Sequence, residues 1–454
     1  MELVAIPLFV VLALILVPLF VRLLDRNAGW PLALIFIASA IPLLRKLPDI
    51  IDGNPWTWKV TWIKDFLPNG TDVIFSLRAD ALSTFFALLA LGIGAAVFIY
   101  STRYLHGGRG SMSFYLLMTA FMAAVVTLVL AGDVILMFIS WELVSLASFF
   151  LIARSGPGGE LGSMRTIILT FFGGLTLLTS LGISAGVTGT TSLSGIIHSP
   201  EWAHHPALLS VIAVLIATSA CTKSAQFPFH FWLPEAMAAD TPVSAFLHAA
   251  AVVKAGIYLL LRFSALFHDD AWWRCLLIIV GMFTAIMAAL FALQKNDLKK
   301  LTAYSTVSQL GWIVYTIGIG TPLAMAAAVV HTLAHALFKS SLFMLIGVVD
   351  HQTGTRDIRR LGPIWRVMPW TFSMALIAAT SMAAVPPLFG FISKEGMLDA
   401  MMEGELATTA TAFLLICAAV GAILTFAYSY RYIFGGFVDG TRDVSDVHEA
   451  PLSL

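Results

Sequence analysis

The stretch Cys221-Thr-Lys-Ser-Ala-Gln-Phe-Pro-Phe-His-Phe-Trp-Leu-Pro-Glu-Ala-Met237 holds Lys223, His230 and Glu235, with the prolines Pro228 and Pro234, inside otherwise apolar sequence. Proline removes a backbone donor and stops a helix, and unpaired backbone groups are not tolerated against lipid, so this break must face protein or water. A lysine buried beside it resists ionisation, which suits it to taking up and releasing protons. The combination suggests transport of charge.

Other ionisable residues lie in apolar runs. Glu142, in Phe138-Ile-Ser-Trp-Glu-Leu-Val144, needs a partner, either a lysine or, as a packing carboxylate, a neighbouring hydroxyl. His331, His335 and Lys339 recur every fourth residue and so share one helix face at intervals of about 6 Å. Neutral imidazole both accepts and donates, so such a stripe can relay protons. A packed histidine pair is the plain alternative. Zinc binding is a third reading, but the His-x-x-x-His spacing here lacks the glutamate of a His-Glu-x-x-His site and an evident third ligand. His248 and Lys254, six positions apart, fall on different faces of one helix. Lys299 follows Asn296-Asp297 at the start of a span and reads either as a path residue or as an interfacial lysine reaching for water. Lys394 follows the Pro386-Pro387 break and reads as a residue at a cavity mouth or as one half of a structural ion pair.

The elements that must position these residues are membrane helices. Of 454 residues 59% are hydrophobic and 11% charged, far from the quarter or so of charged residues in soluble domains. Apolar runs near 3–21, 30–46, 80–101, 112–131, 133–153, 166–187, 207–227, 241–262, 271–293, 301–320, 323–348, 367–388 and 410–435 predict about thirteen spans. The fold class is therefore an all-α polytopic membrane protein. Glu2 precedes the first run, which has no basic start and reads as a retained helix. The segment 47–79, with Asp49, Asp52, Asn54, Asn69 and Asp72, is the one sizeable polar connection and reads as an ordered loop outside the membrane. The glycine-rich 156–163 has no strand before it and reads as a flexible loop, not a phosphate cradle. Cys221, Cys275 and Cys417 lack metal spacing and read as small core residues. The formal net charge is zero, which gives no sign of a nucleic-acid partner.

Short loops carrying Arg22, Arg26, Arg103, Arg109, Arg154, Arg165, Lys295, Lys299, Lys300, Arg356, Arg359, Arg360 and Arg366 fall on one side if the N-terminus is outside. The positive-inside rule thus places the N-terminus outside and the tail with Arg442 in the cytoplasm. Aligning Phe229-His-Phe-Trp-Leu-Pro-Glu-Ala-Met237 with Phe389-Gly-Phe-Ile-Ser-Lys-Glu-Gly-Met397 matches four positions, with prolines in or just before both. Paired proline-interrupted segments point to an inverted repeat with its site at the breaks.

These residues reach a known family. Trp141-Glu142-Leu143, the run from Lys223 to Met237, Thr241-Pro-Val-Ser-Ala, Val253-Lys-Ala-Gly-Ile-Tyr, Asp297-Leu-Lys-Lys-Leu-Thr-Ala-Tyr-Ser-Thr-Val-Ser-Gln-Leu-Gly, His331-Thr-Leu-Ala-His and Gly390-Phe-Ile-Ser-Lys-Glu closely resemble the antiporter-like subunits shared by respiratory complex I and Mrp-type multisubunit cation/proton antiporters. The resemblance runs from about residue 80 to the end. Asp350-His-Gln-Thr-Gly-Thr-Arg-Asp-Ile-Arg looks like the large A subunit of Mrp antiporters more than a complex I subunit. The resemblance implies fourteen or more helices, two inverted five-helix repeats with broken helices, and a midplane chain of buried polar residues. By position, Glu142 and Lys223 match the family's glutamate–lysine pair, Lys299 its central lysine, His331 and His335 its bridging histidines, and Lys394 its terminal lysine. There are two departures. Asp240 stands where the family has proline or a small residue, and the chain stops at Val447-His-Glu-Ala-Pro-Leu-Ser-Leu454 where relatives continue, so it reads as a fragment or truncated product.

The expected organisation is N-terminal helices and external loop at 1–110, a first repeat at 111–262, a second at 263–435 and a short cytoplasmic tail at 436–454. The expected function is a proton-translocating subunit of an Mrp-type sodium/proton antiporter in a bacterial plasma membrane. Its proton path runs through Glu142, Lys223, His248, Lys254, Lys299, His331, His335, Lys339 and Lys394, with the helices broken at Pro228, Pro234, Pro386 and Pro387. Expected partners are the other subunits of a hetero-oligomeric complex, protons and sodium, and the bilayer. No nucleotide, flavin, haem or metal motif is visible, so no cofactor is expected. The chain reads as a secondary transporter and not an enzyme. The competing assignments are a proton-pumping subunit of complex I, part of an NADH:quinone oxidoreductase, or of a membrane-bound hydrogenase or an inorganic-carbon uptake complex.

Overall fold

The computed structural model describes residues 2–65, 70, 72–404 and 408–451, the side chains of residues 2, 109 and 157 excepted. Asn69 of the polar connection, the Arg109 side chain and residues 452–454 of the tail thus lie outside the described residues. Helices α1 (Glu2–Leu24) and α2 (Gly29–Ile51) lead into a two-stranded antiparallel hairpin, β1 (Trp56–Ile63) and β2 (Val73–Ala79), within the polar connection. Then come α3 (Ala81–Tyr104), α4 (Arg109–Leu130), α5 (Val134–Ala153), α6 (Glu160–Thr188), the short α7 (Leu193–Ile197) and α8 (Pro206–Lys223). After a break follow α9 (Trp232–Glu235), α10 (Thr241–Ala249) and α11 (Val252–Phe267). The rest comprises α12 (Ala271–Leu293), α13 (Leu298–Ile319), α14 (Pro322–Thr353), the one-turn α15 (Ile358–Leu361), α16 (Pro369–Met382), α17 (Phe389–Glu403) and α18 (Thr408–Tyr430).

Helix starts follow from carboxylates and hydroxyls that accept otherwise orphaned backbone N–H groups. Asp80 accepts from Ser83 N, Asp133 from Leu136 N, Asp270 from Trp273 N, Asp297 from Lys300 N and Thr321 from Ala324 N. The glycine-rich 156–163, expected as a flexible loop, is a 3-10 turn at Gly156–Gly158 that runs into α6. Of the cysteines, Cys221 is buried, but Cys275 is exposed, because it lies on the outward face of α12.

Ten helical segments among the described residues are long and apolar enough to cross a membrane, so the protein is a multi-pass membrane protein. The thirteen expected spans differ from these ten for identifiable reasons. Helices α1 and α2 form one continuous apolar run, α13 carries too many polar residues, and α16 is too short to span alone. Large apolar side chains such as Ile15, Ile168, Ile279 and Ile423 face outward on the long helices, where lipid takes the place of a core.

The helices do not break where the prolines stand. The expected spans 207–227 and 367–388 end earlier, at Lys223 and Met382, because Ala225 and Ala384 adopt left-handed backbone angles with φ of 52° and 61°. At both breaks the chain closes the same turns: Ser224 N donates to Ala220 O, Gln226 N to Cys221 O and Phe229 N to Gln226 O. In the second, Ala383 N donates to Ala379 O, Val385 N to Thr380 O and Leu388 N to Val385 O. Ala225 therefore corresponds to Ala384, one residue out of register from the alignment of Phe229 with Phe389. Side chains satisfy further freed backbone groups: Thr284 Oγ1 accepts from Phe227 N (3.0 Å), and Trp232 Nε1 donates to Thr222 O (2.9 Å).

A third break, not anticipated, divides the expected span 241–262 between α10 and α11. Ala251 sits at φ −109°, ψ −106°, and the N–H groups of Ala250 and Ala251 both donate to Phe246 O. No proline or glycine marks it. The halves are joined where α8 meets α12 and α10 meets α14, and α14 also packs on α3, α13, α16 and α17.

Candidate functional site

Every lysine and histidine proposed for the proton path is buried inside this bundle, His248, Lys254, Lys299, His331, His335 and Lys339 at no more than 1% exposure. Burying a charge in such surroundings is costly without partners, so the partners define what each residue can do.

Lys223, on the last turn of α8, donates from Nζ to Trp141 O (2.6 Å) and Ser145 Oγ (2.9 Å) on α5, and lies 4.5 Å from the centroid of the Trp141 ring. Glu142 is the neighbour of Trp141, yet the expected Glu142–Lys223 ion pair is not made. Glu142 Oε1 is buried without a partner among the described residues, directed at Gly174 of α6, where a methyl group would collide with it. The helical turn explains the separation: Lys223 is held by the backbone of residue 141 and the hydroxyl of 145, whereas the Glu142 side chain points one residue further round the helix.

Lys339 has a similar cradle in the other half, donating to Thr302 O (3.3 Å) and to Ser305 Oγ on α13, with Met382 Sδ at 3.2 Å. His248 and Lys254 flank the unanticipated break. Lys254 Nζ lies 3.0 Å from His335 Nδ1, bridging α11 and α14, while His335 Nε2 has no partner among the described residues. Neither ring nitrogen of His248 has one among them; its ring packs on Phe343.

His331 engages both ring nitrogens, Nδ1 with Ser393 Oγ and Nε2 with Gln309 Oε1, each at 2.9 Å. Gln309 Nε2 donates onward to Tyr428 Oη (2.6 Å). Ser393 Oγ also lies 3.0 Å from Gly390 O, so its single hydroxyl proton has two possible acceptors. Neutral His331 takes that proton at Nδ1, and protonated His331 turns it towards Gly390. His331 thus has no free nitrogen for the zinc reading. Lys394, in the second turn of α17, has no hydrogen-bond partner on Nζ among the described residues, and Nζ sits 4.9 Å from the Trp312 ring centroid.

Lys299 is not an interfacial lysine reaching for water: its Nζ donates inward to Ala239 O (2.6 Å) and Met237 O (3.3 Å), behind the first break. His230 and Glu235 lie outside the row, His230 among Phe227, Phe231 and Phe291, and Glu235 paired with Arg165. Sequence reasoning missed Gln309, Ser145, Ser305, Ser393 and Trp312. Gln309 had a signal, a lone amide within the buried, hydroxyl-rich Ser305-Thr-Val-Ser-Gln309 of an apolar helix. The hydroxyls had none, since serines occur throughout these helices.

Buried polar atoms usually find partners. Among the described residues, Glu142 Oε1, His248 Nδ1 and Nε2, His335 Nε2 and Lys394 Nζ find none. Ionisable groups held partly by protein and partly with unused hydrogen-bonding capacity are what a proton relay needs, since each must both receive and release.

The chain is similar to known membrane proteins. Residues 131–421 match the family model described as NADH:quinone oxidoreductase/Mrp antiporter, TM, and residues 66–115 match NADH-Ubiquinone oxidoreductase (complex I), chain 5 N-terminus. The A1 subunit of a Na(+)/H(+) antiporter of Staphylococcus aureus is 38% identical over 441 residues, covering 92% of this chain and 54% of that protein. The A subunit of a Na(+)/H(+) antiporter of Alkalihalophilus pseudofirmus is 37% identical over 470 residues, covering 97% and 57%. The chain therefore spans about half the length of the curated relatives it matches. Among solved structures, a chain of the Mrp complex from Dietzia sp. superposes with a TM-score of 0.93 at 48% identity, covering all of this chain and 48% of its own length. A chain of an archaeal membrane-bound sulfane sulfur reductase, a respiratory membrane complex, gives 0.87 at 25% identity, covering all of this chain and 73% of its own.

Proposed function

The chain belongs to the NADH:quinone oxidoreductase/Mrp antiporter transmembrane family, and from that premise we propose that it is a proton-translocating part of a multisubunit Mrp-type sodium/proton antiporter. The observation that carries the reading is the Lys254–His335 contact, which joins the lysine-bearing helix of the first half to the histidine-bearing helix of the second. Two positive charges at 3.0 Å in a buried site repel strongly, so protonation of one drives a proton from the other. Charge then moves along Glu142, Lys223, His248, Lys254, His335, His331 and Lys394, with Lys339 beside Lys254 and His335 and with Lys299 joining from the first break. Glu142 acts on Lys223 through space and not through a standing ion pair, and closer approach of the carboxylate would favour the charged lysine.

In this reading residues 1–110 are accessory helices and an external hairpin, 111–262 and 263–435 are the two antiporter-like repeats, and 436–454 is a cytoplasmic tail. The N-terminus is outside, the basic loops are inside, and the chain works with partner subunits in a bacterial plasma membrane. Sodium passes either here or in a partner. The respiratory reading has some support in the likeness to the archaeal complex, but 48% identity to the Mrp chain against 25% favours the antiporter. The test is sodium-driven proton flux in everted vesicles of a transporter-deficient host, comparing the native operon with one carrying Lys223→Ala in this chain. Loss of flux with the complex assembled supports the reading. A native operon without such flux overturns it in favour of a complex I, hydrogenase or carbon-uptake subunit, which copurifying proteins would identify.

A further inference from the structure

Arg154, at the C-terminal end of α5, pairs through Nη1 with the Asp240 carboxylate. It also donates from Nε to Ser113 Oγ and from Nη2 to Gly110 O, both at 2.9 Å, and stacks 5.5 Å from the Phe114 ring centroid. One guanidinium thus fastens α5, the first turns of α4 and the linker that follows the first break. Asp240 precedes α10 but makes no capping bond to it, its carboxylate being turned to Arg154 instead. The same linker supplies both carbonyls that hold Lys299, at Met237 and at Ala239 beside Asp240.

A polar cavity of about 280 Å³ opens against this pair, lined by Tyr104, His106, Arg154, Asp240 and His351 among others. The His106 and His351 rings stack at 5.3 Å, and Tyr104 bridges to the start of α10 through Thr241 Oγ1 (3.3 Å). Groups close enough to Lys299 to act on its charge through space include Arg356, Asp240, Asp297, Asp350 and His248, with Arg356 lying 3.4 Å from Asp297 and 3.9 Å from Asp350. Asp240 is thus the carboxylate common to the cavity wall and the surroundings of Lys299.

We infer that the Arg154–Asp240 pair is the gate of a proton port that leads through this cavity to Lys299. Closed, the pair holds the linker so that its carbonyls cover the lysine. Open, the linker slackens and the cavity reaches Nζ; a hydronium ion there gives its proton to the neutral amine, one N–H bond forms and water remains. The side chains of Arg154 and Asp240 are 18% and 36% exposed, and partly exposed pairs are weak enough to open and close thermally. The inference rests on the proton-translocating reading above.

The test measures proton conductance of everted vesicles carrying the native operon, with and without sodium. Asp240→Pro deletes the carboxylate while leaving the backbone in place: φ is −54°, Ala239 before it is extended at ψ 157°, and the Asp240 N–H has no acceptor among the described residues. Asp240→Asn removes only the charge. Both variants are expected to raise sodium-independent conductance about threefold, the effect of losing a partly exposed ion pair. The exchange Arg154→Asp with Asp240→Arg is expected to bring it back to native. Native-level leak in both Asp240 variants overturns the gate, as does an exchange that fails to lower the leak. Loss of assembly in both variants makes the pair a structural fastening and also overturns it. Absence of sodium-driven flux in the native operon sinks the antiporter reading alone, since the leak comparison uses no sodium.

Discussion

Lys254 Nζ and His335 Nδ1, both buried, lie 3.0 Å apart between two helices, although 81 residues separate them in the chain. A lysine ammonium there requires a lone pair on Nδ1, so the protonation states of the two residues are linked.

Lys254→Ala and His335→Ala are each expected to cut sodium-driven proton flux by about a hundredfold, the scale of losing one positioned acid or base. The double variant should be no worse than the more damaging single one, because coupled residues are not additive. Flux in everted vesicles of the assembled complex checks this, and losses that multiply would assign the two residues to separate steps.

Gly174 leaves the space that Glu142 Oε1 occupies. Gly174→Ala should displace the carboxylate, which is the far end of a flexible side chain, while strengthening α6 by about 1 kcal/mol. The expected result is reduced coupled flux with unchanged or higher thermal stability. Native flux in this variant would remove Glu142 from the path.

At the opposite end from the Arg154 gate, Asp80 caps α3 and accepts from Arg262 Nη1 (2.5 Å) and Nη2 (2.9 Å). Burial alone would raise its pKa, but the Arg262 hydrogen bonds and charge override this and hold the carboxyl well below its usual value of 3.8. A depressed carboxylate stabilises the fold above its unfolded value and loses that stabilisation as pH falls through the folded one. The thermal unfolding midpoint of the purified complex should therefore drop as pH is lowered below about 4, and less so in Asp80→Asn. At pH 7, Arg262→Leu should cost about 2 kcal/mol by removing the guanidinium hydrogen bonds, since the carboxylate keeps Arg78 Nε (3.2 Å) and Ser83 N (3.0 Å).

Within the segment that the sequence reads as a short tail at 436–454, residues 439–451 fold back on the bundle. Glu449 Oε2 accepts from Trp370 N (2.8 Å) and Thr371 N (3.4 Å), and Oε1 from Thr371 Oγ1 (2.5 Å), at the start of α16. Arg442 donates to Thr353 O and Arg360 O, and Val447 is buried against Tyr100, Val348 and Met368. Glu449→Ala removes a helix-capping carboxylate worth about 1 kcal/mol. Limited proteolysis should then cut the tail faster, and an unchanged rate would mean that Val447 and Arg442 hold it alone.

Much of this was legible in the sequence. The spans, the two proline-marked breaks and the stripe of His331, His335 and Lys339 follow from hydropathy and a four-residue spacing, which are local properties. The third break was not legible, because Ala250-Ala251 is ordinary helical sequence and only the packing of α10 against α14 and α11 against α8 and α13 bends it. The breaks also fall two to four residues before the expected ends, where alanines and not prolines turn the chain.

Residue order was enough to mark a membrane protein of the antiporter-like family and the ionisable residues it must bury, because lipid penalises charge wherever it occurs in an apolar run. Which of those residues meet was settled by the packing of the helices. Helices such as α11 and α13 are buried nearly all round, so composition marks no face of theirs for a particular neighbour. Packing turned Lys223 to a backbone carbonyl and a hydroxyl, left Glu142 apart, drew Asp240 to Arg154 and brought Lys254 to His335.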